Sequence, residues 1–341
     1  MARRPPRRRG RSLNDVGEFG FLDELLPKVG VDDGSILVGL GDDAAVMRAE
    51  RGSLVVTTDA LVCGIHYRAE WLSERQLGRK AFLVNASDIA AMGARPRWCL
   101  ASLGVPGETD RDDLLDMMLG LHEAAAENGA CIVGGNVARS RDRFISVTLI
   151  GIGGASAVSR SGARPGDRIL VSGPLGGAAE AVRRMLERPG RPRRSLAVDA
   201  WREPPVRTEL GRRLAQSRLA SAMIDLSDGL MQDLGHLCVA SDVGAELDVA
   251  AIPVHPGVRG TRKEALATAV RGGEDYELLF TVPARRMREA LALARELCGA
   301  AAEVGMIVAG SGIRCSDPRW RGILDAAAGH DHFRARSEPA R

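Results

Sequence analysis

The sequence has no long run of apolar residues and no closely spaced cysteine pair. No uninterrupted apolar stretch approaches the ~20 residues of a membrane-spanning helix. The basic start, MARRPPRRRGRS, is not followed by the apolar core of a signal peptide. The six cysteines are scattered without a CxxC motif, and several lie in apolar runs. We therefore expect a cytoplasmic protein with reduced core cysteines and no membrane partner.

Several short enzyme signatures are also missing. The chain contains no HExxH, no GxSxG and no HRD–DFG pair, and it has only six histidines. GPLGGAAEA at 173–181 follows a predicted strand and opens a predicted helix, as a phosphate-binding loop would. It lacks the Lys-Ser/Thr of a Walker A motif and the third glycine of GxGxxG. We therefore interpret its glycines first as packing and turn residues.

The composition is typical of a globular protein with two domains. A chain of 341 residues is long enough for two cores, and 45% apolar with 27% charged residues is ordinary. The net charge of +3 includes six arginines and no acid within residues 1–12, so the remaining chain carries −3. A mildly acidic body is a poor nucleic-acid surface. The segment 1–14 could contact RNA or anionic lipid, but a disordered, solvated tail is the simpler interpretation.

Helical and strand periodicities alternate in both halves and predict an α/β (α+β) fold. The composition shifts to Gly, Ser, Ala and Pro at 153–167, which predicts an N-terminal domain at 15–153 and a C-terminal domain at 154–341. The predicted helices are 16–29, 73–92, 110–128, 178–186, 205–217, 230–241, 263–270 and 284–297. The predicted strands are 35–40, 53–58, 98–105, 130–133, 144–152, 168–172, 223–229, 245–249, 276–282 and 303–308.

Acid-rich turns recur beside the ends of these elements. They are GDD at 41–43, TTD at 57–59, SD at 87–88, DLSD at 225–228 and GGED at 272–275. Any one of them could simply begin a turn. Five together suggest carboxylates that converge on several divalent cations, because clustered carboxylates repel one another. Several Mg²⁺ ions usually accompany polyphosphate, so these residues predict a Mg²⁺-dependent enzyme that acts on a nucleotide without a P-loop.

Asp88 stands out within the helix predicted at 73–92. Leu77, Ala81, Val84 and Asp88 follow one another at helical spacing, so Asp88 continues an apolar stripe, one turn after Asn85. A carboxylate on a buried stripe must be paired, hydrogen-bonded or bound to a metal. The alternative is an acid that caps the end of the helix.

A family resemblance adds to this interpretation. From about residue 15 to residue 333, the chain resembles the thiamine-monophosphate kinase family, whose superfamily includes aminoimidazole ribonucleotide synthetase and selenophosphate synthetase. The motifs that carry the resemblance are GDDAAV (41–46), TTDALVCGIHY (57–67), GRKAFLVNASDIAAMGARP (78–96), VGGN (133–136), SRSGARPGDRILVSG (159–173), IDLSDGLMQDLGHL (224–237), GGEDYELLFTVP (272–283) and GHDHF (329–333). Their joint occurrence in this order is highly specific.

The resemblance implies a fold, a reaction and a set of functional residues. The fold would be the two-domain aminoimidazole ribonucleotide synthetase-like fold, with the N-terminal domains of a homodimer pairing into a β-barrel. The reaction would convert ATP and thiamine monophosphate into ADP and thiamine diphosphate, with several Mg²⁺ ions. The implied Mg²⁺ ligands are Asp43, Thr57, Thr58, Asp59, Asp88, Asp225 and Asp228. The implied ATP contacts are Gly135, Asn136, Arg160 and Ser227, the implied substrate contacts are His66, Glu274 and His330, and the implied catalytic residues are Asp59, Asp88 and Arg160.

Two positions depart from the family pattern. Asn136 stands where the family often has a metal-binding Asp, and His330 stands where it often has an aromatic residue against the substrate. Either the metal site remains and depends on Asp59 and ATP for its charge, or it is lost and Asn136 only bonds within its turn. His330 could still stack on the substrate through its imidazole ring.

Two other functions compete with the kinase. One is an ATP-dependent synthetase of the same superfamily, such as selenophosphate synthetase. That enzyme would need a reactive cysteine near the N-terminus, whereas the first cysteine is Cys63, between an apolar strand and Gly64. The other is a nucleotide-binding regulator without catalysis, whose Arg-rich tail holds a partner. Only Asn136 favours the regulator.

Overall fold

The chain folds into two units, each with its own sheet. The computed structural model describes residues 11–30, 34–40, 44–154, 157–188 and 190–325. The first unit contains the described residues up to Ile89 together with Arg95–Ile152, and the second contains Ala90–Ala94 and the described residues from Gly153 onward. Both units combine strands with helices, which confirms the predicted α/β class. Within the described ranges, no helix has the length and apolar character needed to cross a membrane.

The first unit is built on a four-stranded sheet. In chain order its elements are α1 (Leu13–Val29), β1 (Ile36–Val38), β2 (Val46–Met47), β3 (Ser53–Val62), α2 (Glu74–Ala91), β4 (Arg95–Val105), α3 (Arg111–Glu127), β5 (Cys131–Arg139) and β6 (Phe144–Gly153). The order across the sheet is β3-β6-β4-β5, so β3 and β5 are its edges, and β1 pairs with β2 separately. Strand β4 is parallel to β5 and antiparallel to β6.

Strand β6 shows how this sheet separates its two faces. Ile145, Val147 and Leu149 are buried, whereas Ser146 and Thr148 between them are only partly covered. This is the two-residue alternation of a strand with one face in the core. It confirms the half-buried strand predicted at 144–152.

Helix α1 begins at Leu13, three residues before the predicted start. The carboxylate of Asp15 accepts hydrogen bonds from the main-chain N–H of Ser12 at 2.9 Å and from its Oγ at 2.7 Å. Such a contact satisfies a donor at the helix N-terminus and stabilises the first turn. The prediction of a disordered tail was therefore wrong for Leu13 and Asn14, and residues 1–10 lie outside the described part of the chain.

Strands β3 and β5 of the first unit extend past their predicted ends. Strand β3 continues through Thr57–Asp59 to Val62, and β5 continues through Gly134, Gly135 and Asn136 to Arg139. The predictions that β3 ends at Asp59 and that β5 ends before Gly134 were wrong. A Cβ atom at Gly135 would overlap the carbonyl oxygen of Ala101. The glycine therefore allows β5 to lie close against β4 rather than breaking the strand.

The second unit is built on a six-stranded sheet. In chain order its elements are β7 (Arg168–Val171), α4 (Gly177–Glu187), α5 (Leu196–Arg202), α6 (Thr208–Gln216), β8 (Ala222–Asp225), α7 (Leu230–Ser241), β9 (Gly244–Leu247), α8 (Arg262–Arg271), β10 (Leu278–Val282), α9 (Met287–Cys298), β11 (Ala302–Val308), β12 (Gly312–Cys315) and α10 (Arg321–Asp325). The order across the sheet is β12-β9-β11-β7-β10-β8. Strand β12 is parallel to β9, and the other pairings are antiparallel.

The sequence did not predict α5, β12 or α10. Helix α5 has only seven residues, and its start depends on Ser195, whose Oγ accepts from the N–H of Val198 at 3.3 Å. In the described part of the chain, strand β12 pairs with β9 alone, at the edge of the sheet. Its residues are exposed or partly exposed, so no buried apolar pattern predicts the strand. The prediction that 303–308 is the last strand was therefore wrong.

Helices cover both faces of the six-stranded sheet. Ile169 and Val171 of β7 belong to a core with helices α7 and α8, whereas Leu170 between them belongs to a core with α6 and α9. Both faces of β7 are thus buried, which explains its unbroken apolar run. The polar residues at the end of β8 and in the loop before β10 lie outside these two apolar cores and can form a site.

Helices α2 and α3 cross at two glycines, and this crossing can be tested. A Cβ atom at Gly78 would overlap the carbonyl oxygen of Met117, and one at Gly120 would overlap the carbonyl oxygen of Arg75. We expect Gly78→Ala to lower the free energy of unfolding by about 1–3 kcal/mol, because the main chain must move apart. Chemical denaturation followed by circular dichroism would measure this change.

Gly235 in helix α7 provides the matched control. A Cβ atom there would meet no atom within 4 Å. Gly235→Ala should therefore stabilise the protein by up to ~1 kcal/mol through helix propensity alone. Equal stability of the Gly78→Ala variant and the parent would show that α2 and α3 do not cross this closely.

Candidate active site

Strand β3 and helix α2 bring three of the predicted metal ligands together. Thr57 donates from Oγ1 to Asp88 Oδ2 at 2.6 Å, although the two residues are far apart in sequence. The N–H of Asp59 donates to Asn85 Oδ1 at 2.9 Å. Thr57 and Asp59 are two residues apart on one strand and share its α2-facing side. The carboxylate of Asp88 is thus hydrogen-bonded to β3. The alternative that Asp88 only caps the end of its helix is therefore not needed.

Thr58 lies on the opposite face of the sheet from Thr57. Its Oγ1 donates to the carbonyl oxygen of Val147 at 3.2 Å and accepts from Thr148 Oγ1 at 3.1 Å. Thr148 and Ser146 belong to the less buried face of β6. The three residues of the TTD motif therefore divide between the helix-covered face and the open face.

His66 lies in a tight turn that follows β3 directly. Its N–H donates to the carbonyl oxygen of Val62 at 2.9 Å, and its Nδ1 accepts from the N–H of Val62 at 3.1 Å. Because Nδ1 is an acceptor, the neutral ring carries its proton on Nε2. Gly64 adopts φ +86° in this turn, a conformation that suits glycine. The turn fixes the imidazole close to the end of the strand that carries Asp59.

Asn136 lies at the other edge of the sheet from this group. It pairs in register with Ser102 of β4, and Ser102 pairs in turn with Ser146 of β6. Paired residues share a face, so Asn136 lies on the same open face as Thr58. Three strand spacings separate β5 from β3, or about 14 Å. Within one copy of the chain, Asn136 and Asp59 are therefore too far apart to hold one metal ion.

A second polar group forms at the end of β8 in the second unit. The N–H of Glu274 donates to the carbonyl oxygen of Ser227 at 2.7 Å, and the N–H of Tyr276 donates to that of Leu226 at 2.9 Å. Glu274 and Tyr276 both have positive φ, at 63° and 51°. Such conformations cost energy in non-glycine residues and persist where surrounding contacts impose them. The GGED loop is thus held against the DLSD turn, as the recurring acids suggested.

Asp233 is a member of this second group that the sequence analysis missed. Its carboxylate accepts from the N–H of Asp228 at 3.1 Å and from the N–H of Gly229 at 3.0 Å. It lies on the buried stripe of α7 with Leu230 and Leu234. An acid on an apolar stripe is the same signal that singled out Asp88, so the sequence contained the information.

The charges in this group lie close together. Ligand atoms of Asp228, Asp233 and His236 lie within 4.8 Å of one another. Burial, followed by the charges of Asp225 and Asp228, raises the pKa of Asp233 to about 8. Closely spaced oxygens whose negative charges oppose one another are suited to a divalent cation. The residues of this group therefore fit Mg²⁺.

Arg160 lies beside β8 with an exposed side chain. Its carbonyl oxygen accepts from Ser241 Oγ at 3.0 Å, and that of the preceding Ser159 accepts from the N–H of Met223 at 3.0 Å. The segment that carries Arg160 is therefore fixed along the strand that ends in Asp225. The two remaining predicted site residues, Asp43 and His330, lie outside the described residues.

The Gly-rich segment after β7 holds a carboxylate of the chain itself. Asp275 accepts from the N–H of Gly176 at 2.6 Å and from the N–H of Ala178 at 3.4 Å, so it occupies the N-terminus of α4. Burial raises the pKa of Asp275 to about 7, while these donors act to lower it. Gly176 adopts φ +89°. The interpretation of these glycines as packing and turn residues is confirmed.

Comparison with known proteins gives a consistent result. The chain matches the AIR synthase related protein, N-terminal domain, at residues 41–153 and the corresponding C-terminal domain at residues 164–317. It is 37% identical over 278 residues to the thiamine-monophosphate kinase of Mycobacterium tuberculosis, covering 79% of this chain and 81% of that protein.

Solved structures agree in fold. A thiamine-monophosphate kinase from Stenotrophomonas maltophilia K279a superposes with a TM-score of 0.79 at 35% identity, covering 88% of this chain and 97% of that one. A structure described as AaThiL complexed with AMPPCP and TMP gives a TM-score of 0.70 at 29% identity, covering 89% and 95%. The chain therefore belongs to the thiamine-monophosphate kinase family of AIR synthase related proteins.

Proposed function

We propose that this protein is a thiamine-monophosphate kinase, which transfers the terminal phosphoryl group of ATP to thiamine monophosphate and releases ADP and thiamine diphosphate. The observation that carries this proposal is the 37% identity to a thiamine-monophosphate kinase over 79% of the chain. A related structure described as holding an ATP analogue and TMP supports the same pair of substrates. The six cysteines are free thiols, which suits the reducing cytoplasm that we propose as its location.

The reaction needs little acid–base chemistry from the protein. The nucleophile is a terminal phosphate oxygen that is already ionised near pH 7, so no serine, histidine or aspartate has to remove a proton. Catalysis then depends on holding two polyanions in line and on compensating their charge. A sequence with many metal-type acids and few histidines suits this chemistry.

The oxygen ligands of the polar group in each unit fit Mg²⁺. The ion would neutralise negative charge on the phosphate oxygens during phosphoryl transfer. We propose that Thr57, Asp59 and Asp88 hold it in the first unit, and that Asp225 and Asp228 do so in the second. Thr58 and Asp43 complete the proposed metal ligands. The proposed nucleotide contacts are Gly135, Asn136, Arg160 and Ser227, and the proposed substrate contacts are His66, Glu274 and His330.

We also propose that the protein is a homodimer formed through its first unit. Leu54 and Val56 of edge strand β3 are 65% and 60% exposed, on the same open face as Thr58. An exposed apolar row on an edge strand is a surface that another chain commonly covers. Two such sheets can close into an eight-stranded barrel, which removes the open edges.

The edges of the two sheets can pair in two ways, and one of these ways brings Asn136 to the proposed metal site. If β5 of one copy lies beside β3 of the other, Asn136 approaches Thr58, the residue next to Asp59, across the interface. If β3 instead meets β3 and β5 meets β5, Asn136 does not approach that strand. We propose the first closure, so that each metal site of the first unit draws residues from both subunits.

The activity itself is the first test. Purified protein with ATP, Mg²⁺ and thiamine monophosphate should produce thiamine diphosphate and ADP in equal amounts, measured by chromatography. The proposal fails if ATP is consumed without thiamine diphosphate appearing, a result that would favour a synthetase. If ATP binds but is not consumed, the regulator is favoured instead.

The proposed metal-binding acids should be required for turnover. We expect Asp59→Asn and Asp88→Asn each to lower kcat about a hundredfold while the protein stays folded, because each removes a charge contact that stabilises the transition state. Asp116→Asn is the matched control. Asp116 is in the same unit, its side chain is 53% exposed, and its ion pair with Arg75 spans 3.8 Å. Near-parent kcat in either site variant at modest Mg²⁺ would remove that residue from the site.

The shared site predicts complementation between two inactive proteins. Asp59→Asn and Asn136→Lys homodimers should both be nearly inactive, since every site carries one of the changes. After subunit exchange, half of the dimers are mixed, and each mixed dimer has one intact site. We therefore expect about a quarter of the parent activity.

Two measurements make this result decisive. Light scattering should give a dimer for the parent and for both variants, which shows that exchange is possible. If the mixture has no more activity than the mean of its components, the site belongs to a single subunit. High activity of the Asn136→Lys homodimer alone would show instead that Asn136 does not lie at the metal.

A further inference from the structure

We propose that Asn85 is a positioning residue that holds Asp59 in place for metal binding. This inference rests on the proposed function, because it assigns Asn85 a role at the same site. Asn85 would not touch the metal or the nucleotide. It would act through the main chain of Asp59, and the Thr57–Asp88 hydrogen bond would act beside it.

Asn85 is fully buried, and both ends of its amide are engaged. Its Oδ1 accepts from the N–H of Asp59 at 2.9 Å, and its Nδ2 donates to the carbonyl oxygen of Ala81 at 2.9 Å. A buried amide with two fixed partners cannot rotate without leaving a polar group unsatisfied. The orientation of Asn85 is therefore fixed by its own helix, and that orientation determines where the Asp59 main chain lies.

Asn85 and Asp88 form two attachment points between α2 and β3. They are three residues apart on the helix, a rise of about 4.5 Å, so they lie on one face of it. Their partners Asp59 and Thr57 are two residues apart on the strand, or about 6.7 Å. Two hydrogen bonds at separate points resist both sliding and rotation of β3 along α2. The main chain at Asp59 is thereby held in a fixed position relative to the carboxylate of Asp88.

The location of Asp59 explains why such a contact is useful. Strand β3 is an edge of its sheet, so within the described residues a strand of its own copy lies on one side of it only. Asp59 itself is exposed. An exposed acid on an edge strand lacks the support that a central strand provides, and residues behind metal ligands commonly supply it. Asn85 supplies it from the core.

Three variants and one probe test this proposal. Mn²⁺ is titrated into the protein with the non-hydrolysable ATP analogue AMPPCP, and free Mn²⁺ is measured by electron paramagnetic resonance. Asn85→Leu keeps the volume and removes the acceptor, so the Kd for Mn²⁺ should rise about tenfold. Asn85→Asp keeps an acceptor for the Asp59 N–H, loses the donor to Ala81 and adds a buried carboxyl group. It should be less stable than the parent, yet it should bind Mn²⁺ within a few-fold of parent affinity.

Asn128 provides the matched control. Its Nδ2 donates to the carbonyl oxygen of Ala124 at 2.8 Å, which reproduces the contact between Asn85 and Ala81 on helix α3. Asn128→Ala should lower the melting temperature and leave the Kd for Mn²⁺ unchanged. The Mg²⁺ concentration that gives the half-maximal rate in the kinase assay should rank the parent and the three variants in the same order as the Kd for Mn²⁺.

Each outcome decides between positioning and simple packing. Parent-like Mn²⁺ affinity in folded Asn85→Leu overturns the proposal, as does equal weakening in the Leu and Asp variants. If Asn85→Leu does not fold, Asn85→Asp decides alone: a tenfold weaker Kd overturns the proposal and a near-parent Kd supports it. Failure of the proposed function looks different, because the parent would then form no thiamine diphosphate.

Discussion

Like charges held close together must be supported by other groups, and this constraint organises the polar parts of both units. In the second unit, burial and the neighbouring acids Asp225 and Asp228 raise the pKa of Asp233 to about 8. The main-chain donors of Asp228 and Gly229 act against this repulsion. In the first unit, the hydroxyl of Thr57 donates to Asp88. Each acid group thus has donors that keep it in position, and a divalent cation would complete the charge balance.

The same constraint explains why hydrogen bonds hold the main chain in place around both acid groups. Helix α2 is attached to an edge strand through Asn85 and Asp88, and the GGED loop is bonded to the DLSD turn through Ser227 and Leu226. Positive φ at Glu274 and Tyr276 indicates that this loop adopts a costly conformation that its surroundings impose. Phosphoryl transfer depends on positioning rather than on a reactive side chain, so rigid support of this kind suits the proposed reaction.

Sheet geometry separates residues that the sequence places in one pattern. Asn136 and Asp59 lie on opposite edge strands of one sheet, and Thr58 lies on the opposite face from Thr57. Because of these separations, one chain cannot bring β5 beside β3. Two chains can do so if their sheets close into a barrel. The exposed Leu54 and Val56 then gain a partner, and the open edges disappear.

The sequence by itself determined the class of the fold, most of the helices and the two faces of β6, because these depend on local periodicity and on the burial of apolar residues. It also identified Asp88 correctly as an acid on a buried stripe, and the same reasoning applied to Leu230 and Leu234 could have found Asp233. It could not show that β3 and β5 continue through their polar and glycine residues, since strand ends depend on partners distant in the chain. The tertiary structure alone decided that Asn85 bonds to Asp59, that Asp275 occupies the start of α4, and that Asn136 lies at the far edge of the sheet. The physical reason is that local periodicity records which side of an element is buried, whereas hydrogen-bond partners and strand order depend on how distant segments meet in space.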